Sequence, residues 1–126
     1  MHELSIALSL VESVESAARQ AGAQRVTRIQ LQLGALSGVV KEALLFSYDI
    51  AAQGTLAEGA TLDIEEVPLT VHCSTCDQTH VLPLGRGISC PTCGSLSTCV
   101  VRGKELEVTA IEVEVPEEVL DGHTVA

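Results

Sequence analysis

Four cysteines in two tight pairs limit what this chain can become more than any other feature. They read Cys73-Ser74-Thr75-Cys76 and Cys90-Pro91-Thr92-Cys93, with residues 77–89 between the pairs. A two-residue gap lets one turn aim two sulfurs at the same point, and two such turns supply the four soft, tetrahedral ligands that Zn²⁺ prefers. A disulfide framework is the competing use of paired cysteines, but it belongs to oxidising compartments. The chain shows neither the charged start and apolar run of a secretory signal nor a stretch of 18 uninterrupted apolar residues, so the cytosol is the expected address. A redox dithiol needs one such pair at a helix start after a strand, whereas here there are two on turns. Structural zinc on Cys73, Cys76, Cys90 and Cys93 is therefore expected. A module of about 30 residues cannot bury enough surface to stand alone, and a structural zinc adds on the order of 10 kcal/mol of apparent folding free energy. With all four positions filled by protein, catalysis at the ion is not expected.

The fifth cysteine, Cys99, reads as a small buried hydrophobe. His72 and His80 flank the first knuckle, either as solvated strand residues or as partners and alternative ligands of the ion.

The remaining pattern places this module inside a larger α+β domain. Leu4, Ala7, Leu8, Val11, Val14 and Ala18 recur at helical spacing and Gly22 follows, which predicts a helix over about 4–21. Ile29, Leu31 and Leu33 alternate with glutamines, a half-buried strand over about 25–33. A second helix is expected over about 38–53, with Ala43, Phe46 and Ile50 inward and a stop at Gly54. Two long strands follow, each with a slip in alternation: at Glu65-Glu66, and between Ala110 and Ile111. Such slips are compatible with the two strands pairing antiparallel to each other. The expected architecture is two helices on a three-stranded, mostly antiparallel sheet, over 1–71 and 103–115, with a zinc ribbon over 72–102 inserted between the long strands. From Pro116 the periodicity stops, so 116–126 reads as a disordered tail in which His123 is a bystander.

The N-terminal Met1-His2-Glu3 has two readings. The bland one is a frayed, solvated start. The chemical one is a chelate, in which the α-amine, the His2 amide nitrogen and the His2 imidazole close five- and six-membered rings around one ion and Glu3 adds an oxygen. That nitrogen-rich set suits Ni(II) or Cu(II) better than Zn(II) in a thiolate cage. A bare cation at a helix N-terminus meets the positive end of the helix dipole, which Glu3 and a deprotonated amide offset.

Charge narrows the partners. Seven Lys and Arg against 17 Asp and Glu give a formal charge of −10, which repels phosphate backbones and anionic lipid alike. Aromatics are only 2% of the chain, and none lies between 72 and 103 to stack on a base. Neither nucleic acid nor a membrane is an expected partner. No nucleophile with a plausible base and no phosphate-binding glycine loop is present, so an enzyme is not expected.

"MHELSIALSLVESVE", "RVTRIQLQLGALSGV", "CSTC", "CPTC" and "GKELEVTAIEVE" together resemble the HypA/HybF hydrogenase nickel-incorporation proteins, from Met1 to about Glu114. The resemblance implies a nickel metallochaperone with a small nickel-binding domain and a zinc-ribbon domain. It implies that Met1, His2 and Glu3 hold Ni(II) as cargo and that the two knuckles hold structural Zn(II). It also implies two partners, a nickel-handling GTPase and the large subunit of a [NiFe]-hydrogenase. Some relatives carry an acidic residue near the start of the second helix, where this chain reads Val39-Val40-Lys41-Glu42; Glu42 is the candidate for that role. The alternative function is a zinc-ribbon interaction module without nickel chemistry, which would keep the knuckles and ignore the N-terminus.

Overall fold

The computed structural model describes residues 2–85 and 87–116. Met1, Arg86 and the tail from 117 onward, His123 included, lie outside the described residues. The chain divides into two compact units. One comprises the residues up to Leu31, Val39–Asp63 and those from Val108 on; the other comprises Gln32–Gly38 and Ile64–Glu107.

The first unit is built on helices α1, His2–Gln20, and α2, Lys41–Ala52, which pack against each other. Helix α1 ends where expected. Gly22 takes the left-handed conformation at φ 72°, and the amide of Ala23 turns back to the carbonyl of Ala18 at 2.9 Å. It begins earlier than expected, at His2, so His2 and Glu3 are helical. Its buried stripe is Glu3, Ala7, Leu10, Val11, Val14 and Ala18. Leu8, expected inside, is 52% exposed, because the stripe follows the row through Glu3, Ala7, Leu10 and Val14 rather than the row through Leu4 and Leu8.

Helix α2 presents a different face from the one its hydrophobicity suggests. Leu44, Ser47, Tyr48 and Ala52 are buried, whereas Phe46 is 69% exposed. The inward row is set by Leu44 and Tyr48, one turn apart. The Tyr48 hydroxyl donates to the carbonyl of Ala57 at 2.8 Å, and burial pushes its pKa up to about 12, so it remains a donor.

Strands β1, Arg25–Gly34, β2, Thr61–Val67, and β6, Leu106–Glu114, form one sheet in the order β2-β1-β6. The two long strands therefore do not pair with each other; β1 stands between them. Contacts from β1 to β6 run in opposite senses, Gln24 to Glu114 and Gly34 to Glu105, so that ladder is antiparallel. Contacts towards β2 climb in step, Val26 to Leu56 and Ala35 to Val67, as a parallel neighbour reached through a helical crossover requires. Alternation alone cannot reveal this order, since it fixes faces and not neighbours. Val26, Ile29 and Leu31 of β1 supply the fully buried centre of the first unit. On β2, Leu62 and Ile64 are half-buried and Val67 is buried, so the burial phase changes at Glu65-Glu66 as the sequence predicts.

The second unit carries another sheet, β4-β3-β5, from β3, Thr70–Cys73, β4, Gln78–Val81, and β5, Thr98–Arg102. Both ladders of β3 are antiparallel, with Cys73 opposite Gln78 on one side and Thr98 on the other. Leu69, Val71 and Leu82 form its core, with Ala35 and Val100 packed against them. Pro68 cannot donate to a ladder, and the strand predicted through this region breaks there into β2 and β3. Gly103, at φ 122°, separates β5 from β6.

Gly34 and Gly103 meet back to back. A Cβ on Gly34 would stand 2.2 Å from the Gly103 carbonyl oxygen and 2.6 Å from the Glu105 nitrogen, both backbone atoms that cannot swing aside. Gly34→Ala is therefore expected to destabilise the fold by about 3 kcal/mol or more, read from urea unfolding of the zinc-loaded protein. Wild-type stability in that variant would mean that the two backbones do not pack so closely.

Candidate metal centres

The second unit brings all four predicted cysteines together. The sulfurs of Cys73, Cys76, Cys90 and Cys93 lie within 4.8 Å of one another, with Cys73 to Cys93 at 3.7 Å and Cys76 to Cys90 at 3.6 Å. A tetrahedral zinc with Zn–S bonds of about 2.3 Å has sulfur-to-sulfur edges of about 3.8 Å. The cluster therefore fits the ion in size as well as in donor type.

Local backbone bonds explain the convergence. Cys73 closes β3, and the turn after it carries Cys76 back beside it, with Asp77 at φ 53° leading into β4. In the second knuckle the amide of Gly94 donates to the Cys90 carbonyl at 2.8 Å, and the Cys90 amide donates to the carbonyl of Ser95 at 2.9 Å. The knuckles are tied to each other by Thr75 and Ser95, hydroxyl to hydroxyl at 3.0 Å. Nothing in the cysteine spacing announces these serine and threonine braces.

The electrostatics separate the thiols into two kinds. The backbone N–H of Cys76 points at Cys73 and lowers its pKa, and the N–H of Cys93 does the same for Cys90, taking it to about 6. Burial pushes Cys76 up to about 12, reinforced by the neighbouring sulfurs. Without a cation the cluster cannot hold four negative charges; a bound dication removes that conflict. Zinc here would be held by four thiolates and would supply structure.

The other candidates near the knuckles are not ligands of this cluster. His72 bonds Asp77 Oδ1 through Nε2 at 3.1 Å and Thr79 Oγ1 through Nδ1 at 3.3 Å. His80 lies opposite Val71 on β4, its Nε2 buried and, among the described residues, without a hydrogen-bond partner. Cys99 is exposed on β5, opposite His72, rather than buried. A five-residue edge strand has one face open, which hydrophobicity alone does not reveal. Cys99→Ser is accordingly expected to leave zinc content at one equivalent, measured by metal analysis of the purified chain; a loss of zinc would place Cys99 in the cage.

At the other candidate centre, Met1 lies outside the described residues. The His2 ring is 59% exposed, with Nε2 3.6 Å from Glu3 Oε2. Glu3 itself is only 9% exposed, and its Oε2 accepts the backbone N–H of Val40 at 3.2 Å. Val40 is the N-cap of α2, where no side chain of its own supplies a cap. Glu3 thus does across two helices what the glutamate of a capping box does within one, satisfying the N-cap amide. That bond holds the Glu3 carboxyl below its ordinary value of 4.5, against burial pushing the other way. No residue pattern announces this tie, because the donor is a backbone group. Glu42 is exposed in the first turn of α2. Among the described residues, the four cysteines are the one group of three or more ligand side chains close enough to share an ion. His2, Glu3 and Glu42 do not form a second.

Among known proteins, the family described as hydrogenase/urease nickel incorporation, metallochaperone, hypA, matches residues 1–113. The hydrogenase maturation factor HypA of Roseiflexus sp. is 56% identical over 114 residues, covering 90% of this chain and 93% of that protein. HypA of Chloroflexus aggregans is 47% identical over 112 residues, covering 89% and 98%. The solution structure of the Ni metallochaperone HypA from Helicobacter pylori has a similar fold, with TM-score 0.63, 20% identity, and 90% and 98% of the two chains covered.

Proposed function

The chain belongs to the HypA family of hydrogenase/urease nickel-incorporation metallochaperones, and from that premise we propose that it binds Ni(II) at its N-terminus and delivers it to the large subunit of a [NiFe]-hydrogenase. The observation that supports this reading is the family match over residues 1–113, a range that takes in His2 and Glu3 as well as the four cysteines. A nickel-handling GTPase is the proposed partner in loading or release, and the cytoplasm the proposed location. No helix among the described residues is long and apolar enough to cross a membrane. The role is transfer, with no enzymatic step.

The two metal centres have opposite tasks. Cys73, Cys76, Cys90 and Cys93 enclose zinc as a permanent part of the ribbon, proposed over 72–102. The nickel-binding domain, proposed over 1–71 and 103–115, offers the α-amine of Met1, the His2 nitrogens and a Glu3 oxygen at its start. An exposed terminal chelate passes its ion on by ligand exchange, whereas a closed thiolate cage holds it.

The experiment is nickel titration of the zinc-loaded, untagged chain across pH. Affinity is expected to fall steeply from about pH 8 to about pH 6, because protons compete for an α-amine and an imidazole. Glu3 adds nothing to that slope. Its folded pKa is depressed, so the stability from its bond to Val40 is fully present above 4.5 and is lost only as pH falls through the lower folded value. The melting temperature should therefore show no step from Glu3 across the same window. Nickel affinity independent of pH would point to a carboxylate site, and no nickel uptake at all would leave an interaction module built on a zinc ribbon.

A further inference from the structure

Strand β6 is an edge. In the order β2-β1-β6 it has β1 on one side and, among the described residues, no strand on the other. It runs nine residues, long for an unprotected edge, and Val108 on it is 38% exposed although aliphatic. Beside it α1 does not close over the sheet. Ser13 and Ala17, small and exposed, stand one turn apart on the helix, and with Val14 they face Val108, Ala110 and Ile111 across a groove of about 260 Å³. That is below the roughly 300–1,000 Å³ of ordinary small-molecule pockets, and it runs beside an open ladder.

We infer that β6 receives an extended strand from a basic protein partner, whose alternate apolar side chains enter the groove beside α1. The main chain of such a strand completes the ladder, and the groove reads every second residue. The intervening residues fall on the opposite face, where Glu112 and Glu114 project from β6. Glu114 is already paired with Arg25 at 3.2 Å and Arg28 with Asp63, so Glu112, near Arg28 but not its ion-pair partner, can meet a lysine or arginine of the incoming strand, as can Glu107.

Charge rules against a second copy of this chain as the occupant. The strand Leu106–Glu114 holds three glutamates and no base. The antiparallel self-pairing that sets Val108 against Ile111 and Leu106 against Val113 also sets Glu107 against Glu112, twice over, and like charges directly opposite are destabilising. The full-length alternative sets each glutamate against an aliphatic residue or pushes it to an end. Each copy also carries a formal charge of −10. A basic strand meets neither obstacle.

The test uses the zinc-loaded full chain and a blocked peptide, as long as β6, in which lysine and valine alternate. Hydrogen exchange read by NMR should show new protection confined to backbone amides in 108–113. Ala17→Leu fills the groove with another strong helix former, and Glu112→Lys reverses that acid; each should weaken peptide binding by about tenfold. Native zinc content and helicity confirm that each variant is folded, and should Ala17→Leu misfold, Glu112→Lys carries the test. The inference does not depend on the nickel site, so His2→Ala should bind the peptide as the native chain does. It is overturned if a peptide alternating glutamate and valine binds equally well, if folded Ala17→Leu and Glu112→Lys both bind at native strength, or if no protection appears at 108–113. It is also overturned if the same amides become protected with rising protein concentration alone, which would make the occupant a second copy.

Discussion

Purified Cys90→Ser is expected to contain less than a tenth of an equivalent of zinc and to lose the dispersed NMR signals of β3, β4 and β5, while α1 and α2 keep theirs. Serine presents a hydroxyl where the ion needs a thiolate, and Cys90 is the ligand whose pKa already lies at about 6, lowered by the Cys93 amide. Losing it leaves Cys73, Cys76 and Cys93 with a weakened, open site. The ribbon core is small, Leu69, Val71 and Leu82 with Ala35 and Val100 against them. Apolar burial on that scale does not replace an ion worth roughly 10–16 kcal/mol of apparent folding free energy in small zinc modules. The first unit has its own buried centre in Ala7, Val14, Val26, Ile29, Leu31 and Leu44, so its helices should survive. A Cys90→Ser protein with a full equivalent of tightly bound zinc and an ordered ribbon would contradict the four-thiolate assignment.

His2→Ala is expected to weaken nickel binding by at least about a hundredfold and to abolish hydrogenase maturation in cells that depend on this chain, with zinc content unchanged. The substitution removes the imidazole and with it one of the chelate rings that make a short terminal segment bind at all. The structural cost is small, because the His2 ring is 59% exposed and its ionic neighbour among the described residues is Glu3. Glu3→Ala should behave differently. It removes an oxygen from the proposed site and also the acceptor for the Val40 amide, so nickel affinity and melting temperature should fall together. The contrast separates a residue that only binds from one that binds and holds two helices in place.

What was legible in the sequence was local. The four-cysteine cluster depends on two turns and the chain between them, and the spacing of the pairs is what brings four sulfurs within reach of one ion. The end of α1 at Gly22 and the phase change at Glu65-Glu66 are likewise properties of a few adjacent residues. What failed was non-local. Phe46 and Ile50 have the right hydrophobicity for a core, but the face of α2 that turns inward is fixed by Leu44 and by Tyr48 reaching Ala57. The two long strands have matching irregularities, yet β1 lies between them, because neighbours in a sheet are chosen by the chain's crossover and not by alternation. Glu3 looked like a free ligand because its partner is a backbone N–H, which no residue letter records.

In the proposed site nickel is held by the terminal amine together with His2, and calorimetric titration of a chain bearing one extra residue before Met1 tests that arrangement. The extension turns the Met1 amine into an amide and opens the chelate ring to His2, without removing any side chain of the fold. The extended, zinc-loaded protein is expected to lose nickel binding by at least about a hundredfold while its zinc content and melting temperature match those of the native chain. Nickel affinity equal to the native value in that protein would exclude the Met1 amine from the site and leave His2 and Glu3 as side-chain ligands only.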